Sequence, residues 1–352
     1  MNQEENNDFS AYQPKDENRD ENTQNSESVG LTTRNNTDLI WLANKVNDVR
    51  EELRKYIIGQ NEMIELLLVG IFSNGHILLE GVPGIAKTLS SKALAKVLAV
   101  DFSRIQFTPD LMPSDVIGTS VYNMKDSSFN FKKGPVFSNI VLIDEINRAP
   151  AKTQAALFEV MEERQITFDG VRYPMNYPFL VVATQNPIEQ EGTYQLPEAQ
   201  LDRFIFKIKL EYPSIEEEAL ILTRYKDQMK APELSEIKPV FNAEDLQKVQ
   251  LTVEKTVVED RLIQYIANLV GRTRNHAKLY LGGSPRASLS ILKAAKSFAS
   301  IRGRDFVTPD DIQFVSIPVL NHRLILTPEA EMEGIHVEDV IREIIQSVEV
   351  PR

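Results

Sequence analysis

The chain has 352 residues, a length that accommodates two domains and a tail. Its hydrophobic fraction of 42% suffices for a packed core, and its formal net charge of −12 argues against a large basic surface that binds nucleic acid unaided. The absence of cysteine excludes disulfides, thiolate zinc sites and thiol catalysis.

The beginning of the chain is polar and acidic. Residues 1–38 contain nine acidic and three basic residues, a net charge of −6. Because so little apolar surface is available for burial, residues 1–36 are predicted to form a disordered acidic tail. The segment lacks the basic start and apolar core of a signal peptide, and no apolar stretch reaches the roughly 20 residues of a membrane span. A cytoplasmic protein is expected.

A helix is predicted to begin at Thr37–Asp38. Apolar side chains recur there at steps of three and four, so they share one helical face. That face consists of Leu39, Leu42, Val46, Val49, Leu53 and Tyr56. Trp41 lies off the face and is interpreted as a packing residue.

Short apolar runs then alternate with helical stretches. Strands are predicted at His76–Glu80, Arg104–Phe107, Ile140–Asp144, Leu180–Thr184 and Phe204–Ile208. This alternation predicts an α/β fold in which helices cover both faces of a buried, mostly parallel sheet. After Tyr212–Pro213 the pattern is helical, so an α/β domain over 37–212 and a helical domain over 213–352 are expected.

Two further segments resemble β-hairpins. Residues 121–131 form one, and residues 165–173 form the other around an Asp169-Gly170 turn, a strong hairpin signal. Neither is needed to complete the sheet, so both are expected to project from it.

A glycine-rich turn, GVPGIAKT, follows the first strand and opens a helix over residues 89–98. Backbone N–H groups and a helix N-terminus converge on phosphate oxygens in this context. Lys87 is expected to reach the β- and γ-phosphates, and the Thr88 hydroxyl to hold Mg²⁺. Ala86 stands where the strict phosphate-loop pattern has glycine.

Polar residues end two later strands. Asp144 and Glu145 close the run Ile140–Asp144, at the strand end where open α/β sheets bind ligands. Asp144 suits Mg²⁺, and Glu145 suits the deprotonation of an attacking water. Asn186, after the next strand, is a candidate to hold that water or contact the γ-phosphate.

Two arginines complete the candidate chemistry. Arg203 stands just before the last predicted strand, and Arg286 lies in the first turn of a helix. A cation there opposes the helix dipole, so Arg286 is expected to have an anionic partner, of which an ATP phosphate is one. A surface ion pair is the alternative for each arginine.

Seven strings in this order resemble AAA+ ATPases, and more narrowly the MoxR family, from about residue 38 to the C-terminus. The strings are GVPGIAKT, TPDLMPSD, GPVF, LIDEINRAPAKTQAALFEVMEE, ATQNP, LPEAQLDRF and GSPRAS. Ala86 is typical of this family. The resemblance implies a P-loop core with a five-stranded parallel sheet, β-hairpin inserts and a C-terminal all-α lid.

The resemblance also implies residue roles. Asn186 would be sensor 1, and Arg286 would be sensor 2, acting in cis from the lid. Arg203 would be the arginine finger that completes a neighbour's active site, with Arg148 as the second choice. The metal ligands would be Thr88 and Asp144, and the catalytic residues Glu145, Lys87, Asn186, Arg203 and Arg286. The nucleotide-binding residues would be Ile58, Gly59, Gln60, Gly81, Val82, Pro83, Gly84, Ile85, Ala86, Lys87, Thr88, Leu89, Asn186 and Arg286.

The function implied is that of a chaperone-like ATPase that uses ATP and Mg²⁺ to remodel, assemble or mature client proteins. MoxR relatives typically act with von Willebrand factor A domain proteins, and a homo-oligomeric, hexameric ring is the family expectation. In such a ring the hairpins, equivalent to the helix-2 insert and the pre-sensor-1 hairpin, would face the pore. A nucleic-acid motor, hinted at by Lys132-Lys133, and a magnesium-chelatase-like subunit are the alternatives.

Overall fold

The computed structural model describes residues 24–82, 87–125, 127–187, 193–226 and 234–351, with side chains from residue 37 onward apart from that of Tyr225. Within these ranges an α/β region precedes a mainly helical one. Among the described residues, no helix has the length and apolar character needed to cross a bilayer.

The elements of the α/β region are, in chain order, α1 (Gln24–Arg54), α2 (Asn61–Phe72), β1 (His76–Glu80), α3 (Lys87–Val97), β2 (Phe102–Gln106), α4 (Pro113–Ile117), β3 (Gly118–Asn123), β4 (Ser128–Lys133), β5 (Ile140–Asp144), α5 (Ala151–Glu163), β6 (Gln165–Phe168), β7 (Val171–Pro174), β8 (Leu180–Gln185), α6 (Glu198–Leu201) and β9 (Phe204–Lys209).

The helical region contains α7 (Ile215–Tyr225), α8 (Ala243–Glu254), α9 (Asp260–Thr273), β10 (Leu279–Leu281), α10 (Pro285–Ile301), α11 (Pro309–Leu320), β11 (Ile325–Leu326), α12 (Pro328–Met332) and α13 (Val337–Ser347).

Five strands form one parallel sheet in the order β2-β5-β8-β1-β9. Successive side chains of a strand point to opposite faces, and the sheet accordingly separates two apolar cores. Ile77 and Leu79 of β1 belong to one core, whereas Leu78 between them belongs to the other. Every residue of β5 is buried. The predicted buried parallel sheet is therefore confirmed.

The edge strand β2 differs from its prediction. It spans Phe102–Gln106 rather than Arg104–Phe107. Only Ile105 within it is fully buried, so the apolar pattern that locates the central strands is weak here. Phe107 is buried just beyond the strand, where its N–H donates to the carbonyl of Asp144 at 2.9 Å.

Helix α1 also begins earlier than expected. It starts at Gln24, so the predicted start at Thr37–Asp38 is wrong, and residues 24–36 of the predicted disordered tail are helical. No proline interrupts this stretch, and a helix whose later turns are fixed by packing propagates through polar residues at little cost. Residues 1–23 lie outside the described residues. The predicted apolar face of α1 is buried from Leu39 to Leu53, and Trp41 packs edge-on against Phe241.

Both predicted hairpins are present. Strands β3 and β4 pair antiparallel, as do β6 and β7. The turn of the second hairpin places Asp169 and Gly170 at φ values of 49° and 75°. Two consecutive positive φ values are those of the tight turn that Asp-Gly favours.

The helical region contains one departure from an all-α lid. Strands β10 and β11 pair antiparallel. They are too short to show an alternating pattern, which explains why the sequence did not reveal them. The predicted boundary near Pro213 falls between β9 and α7 and stays a prediction, since one apolar core runs from the sheet into α9, α10 and α13.

Candidate active site

The phosphate loop and the acidic pair lie at the same edge of the sheet. Strand β8 separates β1 from β5, and Glu80 is in register with Gln185. The N–H of Gly81 donates to the carbonyl of Gln185 at 3.3 Å. Because all three strands are parallel, Gly81, Asp144 and Asn186 follow them at one edge. The juxtaposition on which the sequence hypothesis depends is therefore present.

Lys87 links these elements. It is the first residue of α3, and its ammonium donates to the carbonyl oxygen of Gly81. Burial lowers the pKa of Lys87, and the carboxylates of Asp144, Glu80 and Glu145 act in the opposite direction. The side chain thus lies within electrostatic reach of the acidic pair. Pro83, Gly84, Ile85 and Ala86 lie outside the described residues, and Thr88 and Leu89 are half-buried in the first turn of α3.

Glycine at position 81 has a steric reason. A Cβ placed on Gly81 would lie 2.9 Å from Cβ of Leu210 and 3.0 Å from its carbonyl oxygen. Leu210 is held there because its N–H donates to the carbonyl of Glu80 at 2.8 Å. The close approach of these two segments leaves no room for a side chain at the start of the phosphate loop.

Asp144 is a buried carboxylate with oxygen atoms suited to a hard cation. Its Oδ2 accepts a hydrogen bond from Nε of Arg104 at 2.5 Å, and its Oδ1 accepts from Thr184 Oγ1 at 3.4 Å. Mg²⁺ prefers carboxylate, hydroxyl and phosphate oxygens, so the chemistry of Asp144 fits this ion, and the Thr88 hydroxyl stays a predicted second ligand. Arg104 supplies a positive charge to the carboxylate, a contact the sequence hypothesis did not include.

Glu145 is held from several sides. Its backbone lies in the left-handed region (φ 57°, ψ 53°), and its N–H donates to Thr184 Oγ1 at 3.0 Å. The carboxylate oxygen Oε2 accepts from Gln106 Nε2 at 2.8 Å and pairs with Arg148 Nε at 2.9 Å. These contacts fix the direction of the carboxylate. Arg148, the second choice for a trans-acting arginine, therefore binds the candidate base of its own chain.

Sequence reasoning missed Gln106 and Arg104, which contact the two acidic residues at this edge. Both are polar residues of β2, separated by one position, so they point to the same face of the strand. In register they lie beside Leu142 and Asp144 of β5. A polar pair at alternate positions near the end of a strand was the available signal.

The segment Ile58–Gln60 also reaches this edge. Gln60 Nε2 donates to the carbonyl of Glu211 at 3.0 Å. Glu211 lies just after β9, and Lys209 at the end of β9 is in register with Glu80 at the end of β1. Gly59 has φ 69°, and a Cβ there would lie 2.8 Å from the carboxyl group of Glu217. A cavity of about 520 Å³ adjoins the segment. It is lined by Arg54, Ile57, Ile58, Gly59, Asn61, Leu220, Thr223 and Arg224. The adenine-binding role of the segment stays a prediction.

The two candidate arginines lie at the opposite edge of the sheet. Arg203 precedes β9, whose first residue Phe204 is in register with His76 at the start of β1. The phosphate loop follows the other end of β1, a strand length of roughly 16 Å away. Arg203 Nη2 pairs with Glu162 Oε2 at 2.8 Å, and its Nη1 donates to the carbonyl of Phe158 at 2.6 Å.

Arg286 is beside Arg203 rather than beside the phosphate loop. Its Nη2 donates to Glu162 Oε1 at 2.6 Å. The anionic partner expected for Arg286 is thus a glutamate of the same chain in this structure. In this arrangement about one strand length separates Arg286 from the phosphate loop of its own chain. The cis role of Arg286 stays a prediction.

The lid is anchored to the same edge by a buried arginine. Arg323 pairs with Asp202 Oδ1 at 2.7 Å and donates to the carbonyl of Phe204 at 2.6 Å. Ser284, at the start of α10, donates to Asp202 Oδ2 at 3.2 Å. Burial lowers the pKa of Arg323, and the pairing with Asp202 opposes that shift. These contacts hold the start of α10, and with it Arg286, against the start of β9.

The hairpins contact each other through one aromatic residue. Phe131 of β4 stacks on Phe168 with ring centroids 4.6 Å apart and lies 4.8 Å from the ring of Tyr173. The outer part of the first hairpin is apolar and exposed, with Met124 at 87% and Phe129 at 71% exposure. Of the two lysines that hinted at nucleic acid, Lys133 lies over the ring of Phe137 at 4.9 Å.

Two parts of the chain match known families. Residues 76–206 match the ATPase family associated with various cellular activities (AAA), and residues 271–344 match the AAA lid domain. The chain is 47% identical to the protein YeaC of Bacillus subtilis over 301 residues, which cover 86% of this chain and 93% of YeaC.

It is also 47% identical to the chaperone MoxR1 of Mycobacterium tuberculosis over 310 residues, covering 86% of this chain and 81% of the relative. A crystal structure from Cytophaga hutchinsonii, of a protein to which ATPase activity has been attributed, superposes with a TM-score of 0.83 at 45% identity. That match covers 90% of this chain and 98% of the other.

Proposed function

The chain belongs to the MoxR family of AAA+ ATPases, and from this premise we propose that it hydrolyses ATP with Mg²⁺ in an oligomeric ring to remodel client proteins. The observation that carries the proposal is the convergence of Lys87, Asp144 and Glu145 at one sheet edge. A cation at the start of a helix and two carboxylates at the end of a strand match the parts that triphosphate hydrolysis requires.

Lys87, Thr88 and Asp144 would hold the triphosphate and its magnesium ion. Lys87 balances phosphate charge, and its partial burial strengthens that interaction because the local dielectric is low. Mg²⁺ would neutralise part of the charge of the triphosphate. Asp144 and the Thr88 hydroxyl would provide oxygen ligands to it.

Glu145 would accept the proton of the attacking water. Its carboxylate is oriented by Gln106 and Arg148, and orientation is the first requirement for a general base. Asn186, directly after β8, would hold the same water or contact the γ-phosphate. Each of these roles concerns a residue at the phosphate-loop edge of one subunit.

Arg203 and Arg286 would both act on the nucleotide of a neighbouring subunit. They share Glu162 at the far edge of the sheet, so the geometry favours the same target for both. An arginine provided in trans contributes about 10³–10⁵ in rate to related phosphoryl transfers. Hydrolysis would then require contact between subunits, which a hexameric ring provides.

The clients are proposed to include von Willebrand factor A domain proteins in the cytoplasm, as the family resemblance implies. Arg323 fixes the lid to the sheet of its own chain. A change of nucleotide would therefore move one subunit relative to the next, through the contacts between subunits. The hairpins, coupled by Phe131, would transmit that motion to the client.

Nucleotide binding and turnover test the proposal directly. Purified protein should bind ATP in the presence of Mg²⁺ and release phosphate at a rate per subunit that rises with protein concentration as the ring assembles. Protein that binds no adenine nucleotide with Mg²⁺ would refute the proposal.

Client capture tests the remodelling role. The Glu145→Gln variant held in ATP should retain a von Willebrand factor A domain protein, whereas Lys87→Ala should not. Stimulation of the ATPase by DNA, weakening with salt, would instead favour a nucleic-acid motor.

A further inference from the structure

We propose that Glu162 is a positioning residue that joins Arg203 and Arg286 into one two-arginine receptor for the terminal phosphates of the neighbouring subunit's ATP. The inference deepens the proposed function and rests on it. The two carboxylate oxygens of Glu162 bind the two guanidinium groups. Oε2 lies 2.8 Å from Arg203 Nη2, and Oε1 lies 2.6 Å from Arg286 Nη2.

The three residues come from separate parts of the chain. Arg203 immediately precedes β9, Glu162 lies in the last turn of α5, and Arg286 belongs to the lid. Two guanidinium groups that approach one another repel, and a carboxylate between them offsets that repulsion. Glu162 is therefore the group that allows the arginine of the α/β region and the arginine of the lid to lie together.

The donors of this cluster suit a phosphate. Each guanidinium carries five N–H donors, of which Glu162 uses a fraction, although Glu159 and Glu163 add negative charge to the same groove. The side-chain exposures of Arg203, Glu162 and Arg286 are 28%, 38% and 52%, so the cluster opens to the surface. An anion from another subunit can reach it without unfolding either region.

One donor of the cluster has no partner within the chain. Within the described residues, Arg203 Nε is buried without a hydrogen-bond acceptor. Arg203 lines a groove of about 240 Å³ that also includes Phe158, Glu159 and Glu162. Buried donors are almost always satisfied in native proteins. A phosphate oxygen that enters this groove can accept from Arg203 Nε once the side chain turns toward it.

The backbone that carries each arginine is fixed. Asp202 precedes Arg203 and binds both Arg323 and Ser284 of the lid, and Ser284 lies two residues before Arg286. The two arginines thus have little backbone freedom relative to one another. The directions of the two side chains are not fixed by the backbone. Glu162 is the contact that both side chains share, so it sets their directions.

The test is the substitution Glu162→Gln in the assembled, full-length protein. Glutamine keeps the length and an acceptor oxygen but removes the charge between the arginines. We expect kcat to fall about tenfold to a hundredfold, because small misplacements of transition-state contacts have effects of that size. KM for ATP should stay within about twofold of the parent value, since the nucleotide is bound by the other edge of its own subunit.

Matched controls come from the same groove and helix. Glu159→Gln and Glu163→Gln remove equal charge at positions lining the same groove and should leave kcat near the parent value. Melting temperature and oligomer size should be those of the parent for all three variants. An equal loss of kcat in the three variants would mean a general charge effect and would overturn the inference.

Coupling to the arginines provides a second readout. Glu162→Gln should add little to the loss caused by Arg286→Ala, because the residue acts through that arginine. Losses that multiply independently, an unchanged kcat or a raised kcat in Glu162→Gln would each overturn the inference. A raised kcat would identify Glu162 as a restraint on the arginines.

Arg203→Ala in the same assay separates this inference from the proposed function. When Arg203→Ala abolishes turnover and Glu162→Gln does not lower it, the inference alone is wrong. When Arg203→Ala retains the parent rate in the assembled state, the proposed trans role is wrong and the inference falls with it.

Discussion

The two edges of the central sheet differ in how their chemistry is held. At the phosphate-loop edge, Asp144 and Glu145 receive hydrogen bonds from Arg104 and Gln106 on the neighbouring strand β2. At the opposite edge, Arg203 and Arg286 meet at Glu162, and the contact joins the α/β region to the lid. The hydrogen bonds from β2 at the first edge lie within one sheet, whereas the contact at the second edge depends on how two regions pack.

This difference underlies our proposal that one edge binds the nucleotide of its own subunit and the other edge acts on the nucleotide of a neighbour. Parallel strands place all their carboxyl ends at one edge, so the phosphate loop after β1 and the acidic pair after β5 lie at the same edge although β8 separates the two strands. Residues at the amino ends of the same strands lie a strand length away from that site. In the proposed ring they would be available to the neighbouring subunit. Substitutions at the two edges test that separation.

The first prediction concerns Lys87, the cation at the phosphate-loop edge. Lys87→Ala should lower ATP affinity by at least about a hundredfold, since a charge-assisted contact to phosphate is lost. Isothermal titration calorimetry with Mg²⁺-ATP measures this loss. Lys92→Ala, on the exposed side of the same helix, should keep the parent affinity. Equal affinity in Lys87→Ala and the parent would contradict the placement of the phosphate.

The second prediction concerns the opposite edge. Arg203→Ala should lower kcat about a thousandfold or more in the assembled state while ATP binding is retained. Rings that contain both Arg203→Ala and Lys87→Ala subunits should recover activity. In these rings the Lys87→Ala subunit supplies an intact Arg203 to the intact phosphate loop of the Arg203→Ala subunit. Absence of recovery in co-assembled rings would argue against a trans role.

Arg148→Ala sharpens the same contrast. Arg148 pairs with Glu145 of its own chain, so its loss should damage the subunit that carries it. Mixing with Lys87→Ala subunits should then restore nothing. Recovery comparable to that of Arg203→Ala would instead identify Arg148 as the arginine that acts between subunits.

The third prediction isolates the base. Glu145→Gln should retain ATP and lower kcat by about 10²–10⁴, the range that general base catalysis contributes. Filter binding and phosphate release, measured on the same preparation, separate binding from turnover. Hydrolysis at the parent rate would show that another group accepts the proton.

The smallest effect is expected for Gln106, which donates a hydrogen bond to the candidate base Glu145. Gln106→Ala removes the hydrogen bond to Glu145 Oε2 and should lower kcat about fivefold, the kinetic equivalent of one net hydrogen bond. Nucleotide affinity should not change, because Glu145 rather than Lys87 loses its support. A change in affinity without a change in kcat would contradict this role.

Residues whose function follows from their own strand could be predicted. Asp144 and Glu145 follow four apolar residues that form a central strand, so their edge of the sheet was known before the structure. Gly81 and Lys87 were located by the same logic, from a strand that leads into a helix. The hairpin at Asp169-Gly170 followed from the φ values that this dipeptide favours.

Residues whose contacts depend on packing between distant elements could not be placed from the sequence. Glu162 stands in the run Met161-Glu162-Glu163 near a helix end, which by sequence resembles an ordinary solvated face. Arg286 was expected to act in cis because the sequence does not show against which edge the lid packs. The buried pair Arg323–Asp202 decides that edge, and its partners are far apart in the chain.

The sequence by itself therefore determined the α/β class, the phosphate loop, the acidic pair and the family, because these depend on local patterns of burial and spacing. The tertiary structure alone decided where the lid attaches, which arginines lie together and which groups orient Glu145. Those choices depend on contacts between residues distant in the chain, and such contacts leave no periodic signal in the sequence that encodes them.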